Sequence, residues 1–167
     1  GEKISKIPYV NSMRIERIEI EGQMIMDDFD FWTLTVPIKY HADIEPLVSH
    51  GDWIDLRAAE DVELKAGEFK LISLGVSMKL PDGYEAHVVP RSSTFKNWGI
   101  LQTNHMGVID NDYCGNDDIW MFPALATRDT FIEKNSRICQ FRLAGKMEKF
   151  VFVPTNDLGS KNRGGFG

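Results

Sequence analysis

Five apolar side chains at every second position, Ile72, Leu74, Val76, Met78 and Leu80, constrain the fold of this chain more than any other feature. A period of two puts all five on one face of an extended strand, whereas a helix would scatter them around its axis. Leu34, Val36 and Ile38 repeat the alternation on a smaller scale, and Phe150 to Val153 is a further short apolar run, ended by Pro154. Turn-forming clusters separate these runs: Pro81-Asp82-Gly83, Gly115-Asn116-Asp117-Asp118 and Glu133-Lys134-Asn135-Ser136. Sustained helical periodicity with caps is missing, and one short helix is expected from about Ser93 to Trp98, with Ser92 or Ser93 as N-cap. Many short strands at regular spacing predict an all-β fold, a closed barrel or jelly roll with one short helix. Residues 1–157 are expected to form this single domain. Residues 158–167 are Gly-rich and polar and read as a tail with no core of its own.

Charge and composition narrow the function. The 167 residues carry a net charge of −6, from 25 acidic and 19 basic side chains, which argues against a duplex nucleic-acid binder. A nucleotide ligand remains compatible, because a bound Mg²⁺ can offset phosphate charge. No apolar run is long enough to span a membrane, and no signal peptide is visible, although the chain begins at Gly1 and a processed or engineered N-terminus is expected. Cys114 and Cys139 lie far apart and form no CxxC, which fits a reducing, cytoplasmic setting. His41, His50, His87 and His105 are scattered without ligand spacing, so a protein-ligated zinc site is not expected.

Five segments carry chemistry-bearing residues. Gly107-Val108-Ile109-Asp110-Asn111-Asp112-Tyr113 sets a carboxylate and an aromatic ring three residues apart beside glycines. Asp110 there is a candidate general base or water-orienting group, and Tyr113 a candidate pocket floor; the plain alternative is an ordinary hairpin turn. Pro90-Arg91-Ser92-Ser93 follows a strand and opens the expected helix, so backbone N–H groups, two hydroxyls and a guanidinium could hold an anion, or a serine could simply cap the helix. Asp55 interrupts an apolar strand and either pairs with a cation or holds a metal-bound water. In Arg137-Ile138-Cys139-Gln140, strand alternation predicts Arg137 and Cys139 on one face and Ile138 and Gln140 on the other. Gln140 then needs a partner, either backbone or ligand. In the tail, Lys161-Asn162-Arg163-Gly164-Gly165-Phe166-Gly167 combines phosphate-gripping cations, glycines that permit close approach and an aromatic ring that can stack; the plain alternative is a disordered terminus.

Taken in order, Asp55-Leu56, Pro90-Arg91-Ser92, Gly107-x-Ile109-Asp110-x-x-Tyr113, Arg137-Ile138-x-Gln140 and Arg163-Gly164-Gly165-Phe166-Gly167 resemble the motifs of the trimeric all-β dUTPase family, over about the last two-thirds of the chain. The resemblance implies hydrolysis of dUTP to dUMP and pyrophosphate with Mg²⁺. It implies that Asp110 orients the water that attacks the α-phosphorus and bonds the sugar 3′-OH. Tyr113 would lie under the deoxyribose and exclude a 2′-OH. The segment Asn104 to Ile109, including Gly107, would form a hairpin whose backbone reads the uracil edge. Ser92 and Ser93 would contact the phosphates with Arg91 in support, Gln140 would reach the α-phosphate, and Asp55 would act on Mg²⁺ through a water. Arg163 would bind the γ-phosphate, Gly165 would allow close approach, and Phe166 would stack on the base. A homotrimer with shared active sites, each closed by a neighbour's tail, is implied as well.

Some residues depart from the pattern. Lys161 and Asn162 stand where the family tail usually opens with Arg-Gly, which leaves Lys161 and Arg163 competing for the phosphate. The chain stops at Gly167 where the family continues with Ser-Thr-Gly, so a truncated or trimmed end is expected. Ser93-Thr94 replaces the commoner Gly-Leu, and the acidic Asp27-Asp28-Phe29-Asp30 has no place in the pattern. Two alternatives share the barrel: a dCTP deaminase-like enzyme, which would want a catalytic Glu that residues 116–127 lack, and a dUTP-sensing regulatory protein.

Overall fold

The computed structural model describes residues 14–20, 23–30, 33–49 and 51–166. Strands β1 (Arg14–Ile20) and β2 (Gln23–Asp30) pair antiparallel, with a register shift between Ile15 and Arg17, and the acidic Asp27–Asp30 segment falls in β2. The rest of the chain supplies β3 (Ile38–Tyr40), β4 (Ile54–Arg57), β5 (Val62–Leu64), β6 (Phe69–Ser73), β7 (Val76–Met78) and β8 (Tyr84–Pro90). After β8 come α1 (Thr94–Trp98), β9 (Ile100–Gln102), β10 (Gly107–Ile109), β11 (Met121–Ala126), β12 (Thr130–Ile132) and β13 (Arg137–Gly145). Every pairing is antiparallel: β10-β8-β13-β4 form one sheet, β6-β11-β9 a second, and β12-β5 and β3-β7 two smaller ones. The architecture is therefore nearly all β with one short helix, as the alternation predicts. No described helix is long and apolar enough to cross a membrane.

The inward faces of these sheets meet in one core that includes Leu56, Ile72, Leu74, Val76, Val88, Trp120, Phe122, Ile138 and Phe141. Trp120 meets Phe141 edge to face, with centroids 5.1 Å apart and planes at 83°. Each such aliphatic or aromatic side chain contributes about 1.5–3 kcal/mol through burial.

The five-position alternation does not form one strand. It breaks at Gly75 into β6 and β7, which belong to different sheets, and residues 74–78 are buried on both sides. Gly75 turns the corner at φ +67°, and a Cβ there would sit 2.9 Å from the Ala59 Cβ. The period of two survives the corner because each half still faces the same core. Of the Leu34–Ile38 run only Ile38 enters a strand, and Leu34 is exposed. Phe150 to Val153 forms no strand, and Phe152 is 92% exposed, so the described residues leave this apolar run uncovered. Residues 146–166 carry neither helix nor strand.

Candidate active site

The chain leaves β8 at Pro90 and enters α1 four residues later. Thr94, fully buried, pins this corner: its hydroxyl accepts the Arg91 N–H at 2.8 Å and donates to the Ile138 carbonyl of β13 at 2.8 Å. Ser93 occupies the N-cap position, but its side chain makes no capping bond. Thr94 satisfies the corner in its place. The Ser93 hydroxyl instead accepts Arg91 Nη1 at 3.4 Å, and Ser92 is exposed beside it. Both hydroxyls are thus free of the structural role that a cap would impose. With five residues, α1 contributes little dipole, so the cationic character of this corner comes from arginine side chains.

Asp55 in β4 receives two of them. Arg91 Nε lies 2.9 Å from Asp55 Oδ1 and Arg137 Nη1 lies 3.2 Å from Oδ2. The cation-pairing alternative for Asp55 is therefore realised. Gln140 pairs directly across the ladder from Asp55 and donates Nε2 to the Pro90 carbonyl at 3.2 Å, which leaves its second amide proton and its oxygen for other partners. The expected split of Arg137/Cys139 from Ile138/Gln140 fails. A register shift between Arg137 and Cys139 lets Ile138 and Cys139 both turn inward. This bulge brings Arg137 and Gln140 to the Asp55 side together. Burial pushes the Cys139 thiol well above its usual pKa, with the Asp55 charge adding to the rise, so it is an inert core group.

Asp110 and Tyr113 sit elsewhere. Ile109 of β10 pairs with Ala86 of β8, and β8 runs on from there for about 13 Å to Pro90. Asp110 lies beyond Ile109 at the far end of the strand, away from Arg91, Ser92 and Gln140. The Tyr113 N–H closes a turn onto the Asp110 carbonyl at 3.1 Å, its hydroxyl donates to the Ile119 carbonyl at 3.1 Å, and the residue is 39% exposed. Asn111 fixes this turn, its amide donating to the carbonyls of Pro81 and Tyr84 at 2.9 Å each.

The hairpin expected over Asn104 to Ile109 is instead a crossing between sheets. β9 joins β11, and β10 joins β8. The connecting residues, Thr103 to Met106, are exposed, with His105 at φ +65°. Lys161, Arg163, Gly165 and Phe166 are likewise exposed, and this chain does not bring them to either half of the site.

Two sets of predicted residues are thus assembled at opposite ends of one strand. Comparison with known proteins agrees with the motif order. The dUTPase family model matches residues 49–167. The chain belongs to the dUTPase family. It is 56% identical, over 80% of its length and 96% of the relative's, to the SPbeta prophage-derived deoxyuridine 5′-triphosphate nucleotidohydrolase YosS of Bacillus subtilis (strain 168). It is 37% identical, over 74% of its length and 84% of the relative's, to the deoxyuridine 5′-triphosphate nucleotidohydrolase of Rickettsia felis. A triple mutant of the dUTPase of Staphylococcus bacteriophage 80alpha, solved with dUpNHpp, shares the fold at a TM-score of 0.67 and 18% identity, over 81% of this chain and 98% of that one.

Within this dUTPase fold the residues that sequence reasoning passed over are polar groups with structural partners. Thr94 and Asn111 look like ordinary loop residues in the sequence. Arg137 was separable from its neighbours only through the bulge, which no alternation pattern marks.

Proposed function

We propose that this chain hydrolyses dUTP to dUMP and pyrophosphate. The observation that carries the reading is the cluster at the end of β8, where Asp55 holds Arg91 and Arg137 beside Gln140, Ser92 and Ser93. Two guanidiniums, an amide and two hydroxyls outside the helix cap, around one carboxylate, suit a triphosphate, whose charge they spread. Asp110 orients a water for in-line attack on the α-phosphorus and takes its proton; the bond to the bridging oxygen breaks and pyrophosphate leaves. Tyr113 packs under the deoxyribose and excludes a 2′-OH. The 104–109 segment, with Asn104, Gly107 and Ile109, reads the uracil edge. Gln140 bonds the α-phosphate, Lys161 or Arg163 the γ-phosphate, and Phe166 covers the base, with Gly165 allowing the approach.

Mg²⁺ fits this arrangement as an ion carried on the substrate. Among the described residues no group of three or more His, Cys, Asp or Glu could hold a metal alone. Mg²⁺ commonly keeps its waters and binds through phosphates and one or two carboxylates. Asp55 keeps lone pairs beyond its two guanidinium contacts, so it can hold a Mg²⁺-bound water. The ion would supply charge neutralisation on the phosphates.

The strand geometry supports a homotrimer with shared sites. The Asp110 half and the Arg91 half lie at opposite ends of β8 in one chain, which supports a site completed by residues of different copies. The outward face of the β6-β11-β9 sheet supports assembly too: Phe69, Leu71, Leu101 and Met121 are all exposed there. The tail, residues 158–167, closes over a neighbour's site. The two cysteines are unpaired, which suits a cytoplasmic setting. A pyrophosphate-release assay over dUTP, dCTP, dTTP and UTP tests the activity; turnover confined to dUTP is expected, and its absence refutes the reading.

A further inference from the structure

The crossing from β9 to β10 carries the residues proposed to read the base, yet the two strands do not pair with each other. One side chain ties β9 to β8, the strand on which β10 pairs. Gln102, the last residue of β9, donates Nε2 to the Val88 carbonyl of β8 at 3.0 Å, joining the two sheets at the base of the crossing. Its Oε1 is buried with no hydrogen-bond partner, one of two such side-chain atoms among the described residues. A buried amide oxygen without a protein partner is uncommon. Gly107, across the crossing, leaves room for this bridge. A Cβ there would lie 3.2 Å from the Val88 Cβ and 3.5 Å from Gln102 Nε2. Beyond the bridge, the crossing is held by few backbone bonds: Thr103 N–H to Pro123, His105 N–H to Gln102 and Met106 N–H to Asn104.

We infer that Gln102 is a positioning residue for base recognition, fixing the spacing of the 103–107 crossing so that its backbone meets the uracil edge. This rests on the reading that the 104–109 segment faces the base. Gln102 bonds Val88, which faces Gly107 at the start of β10, whereas Asp110 follows the end of β10, so the influence of Gln102 falls on binding and selectivity.

The test replaces Gln102 with Met, which fills similar space without the amide, and with Glu, which when ionised cannot donate to Val88. Both variants should raise KM for dUTP by about tenfold with kcat within about twofold, and lower the preference for dUTP over dTTP by a similar factor. Gln102→Asn, whose shorter amide cannot reach the Val88 carbonyl, should give the same pattern and carries the test if the Met or Glu variant fails to fold. A fall in melting temperature with KM and the dUTP:dTTP ratio unchanged overturns the inference. So does an equal loss in kcat and kcat/KM with KM constant. Asn104→Ala in parallel separates the two levels. If it raises KM while Gln102→Met does not, only the role of Gln102 falls. If neither moves KM, the base-reading role of the crossing falls with it.

Discussion

Replacing Thr94 by Val tests whether the β8–α1 corner is held as described. The substitution keeps the shape and removes one oxygen. That oxygen, fully buried, serves the Arg91 N–H and the Ile138 carbonyl at 2.8 Å each. Each buried backbone group left without a partner costs about 1–3 kcal/mol, so the pair costs about 2–6 kcal/mol. Against a usual stability of about 5–15 kcal/mol this is a large fraction. For a chain of this size, about 2–4 °C per kcal/mol gives a fall of roughly 4–24 °C in melting temperature. Thr94→Ser keeps the hydroxyl and loses one methyl, and should cost about 1 kcal/mol. Arg91 also loses its backbone tether, so kcat should fall further in the Val variant than in the Ser variant. Differential scanning calorimetry with a pyrophosphate assay reads both effects. A Val variant that melts within about 1 °C of the parent would refute the reasoning, because it would mean that other groups satisfy the corner.

Asp110→Asn keeps shape and removes the base, so dUTP binding should persist while turnover falls by about 10²–10⁴-fold, read by calorimetric titration and pyrophosphate release. Tyr113→Ala should lower the dUTP:UTP ratio of kcat/KM by at least about tenfold, and an unchanged ratio counts against the sugar-excluding role. Deleting residues 161–167 should leave the assembly mass by light scattering unaltered and cut turnover sharply, whereas full activity would remove Arg163 and Phe166 from the site.

The sequence made the fold class legible because burial on one face imposes alternation whatever the topology. The sheet partition was hidden. Gly75 splits one alternating run between two sheets without disturbing the pattern, since a corner and a continuous strand bury the same residues. The bulge at Arg137–Cys139 was hidden for a related reason: it shifts phase by one residue, and only the cross-strand register shows it. Motif order pointed to Asp55, Gln140 and the Pro90–Ser93 corner, which the fold does gather. What motif order could not convey is the separation of Asp110 from that corner, because sequence position says nothing of which end of β8 each segment meets.

That separation is a consequence of antiparallel pairing. In β8 the chain runs towards Arg91, and β10 runs back along it, so the residue after Ile109 must emerge at the end where β8 began. No loop rearrangement short of breaking the β10–β8 ladder brings Asp110 to Arg91 in the same chain. The buried faces of the barrel exclude a path through the interior, since Ala86 and Val88 are core residues. On the roles proposed above, a complete site would set an Asp110 from one copy beside an Arg91 from another. Under that proposal the ladder itself would tie catalysis to assembly, before any particular interface is considered.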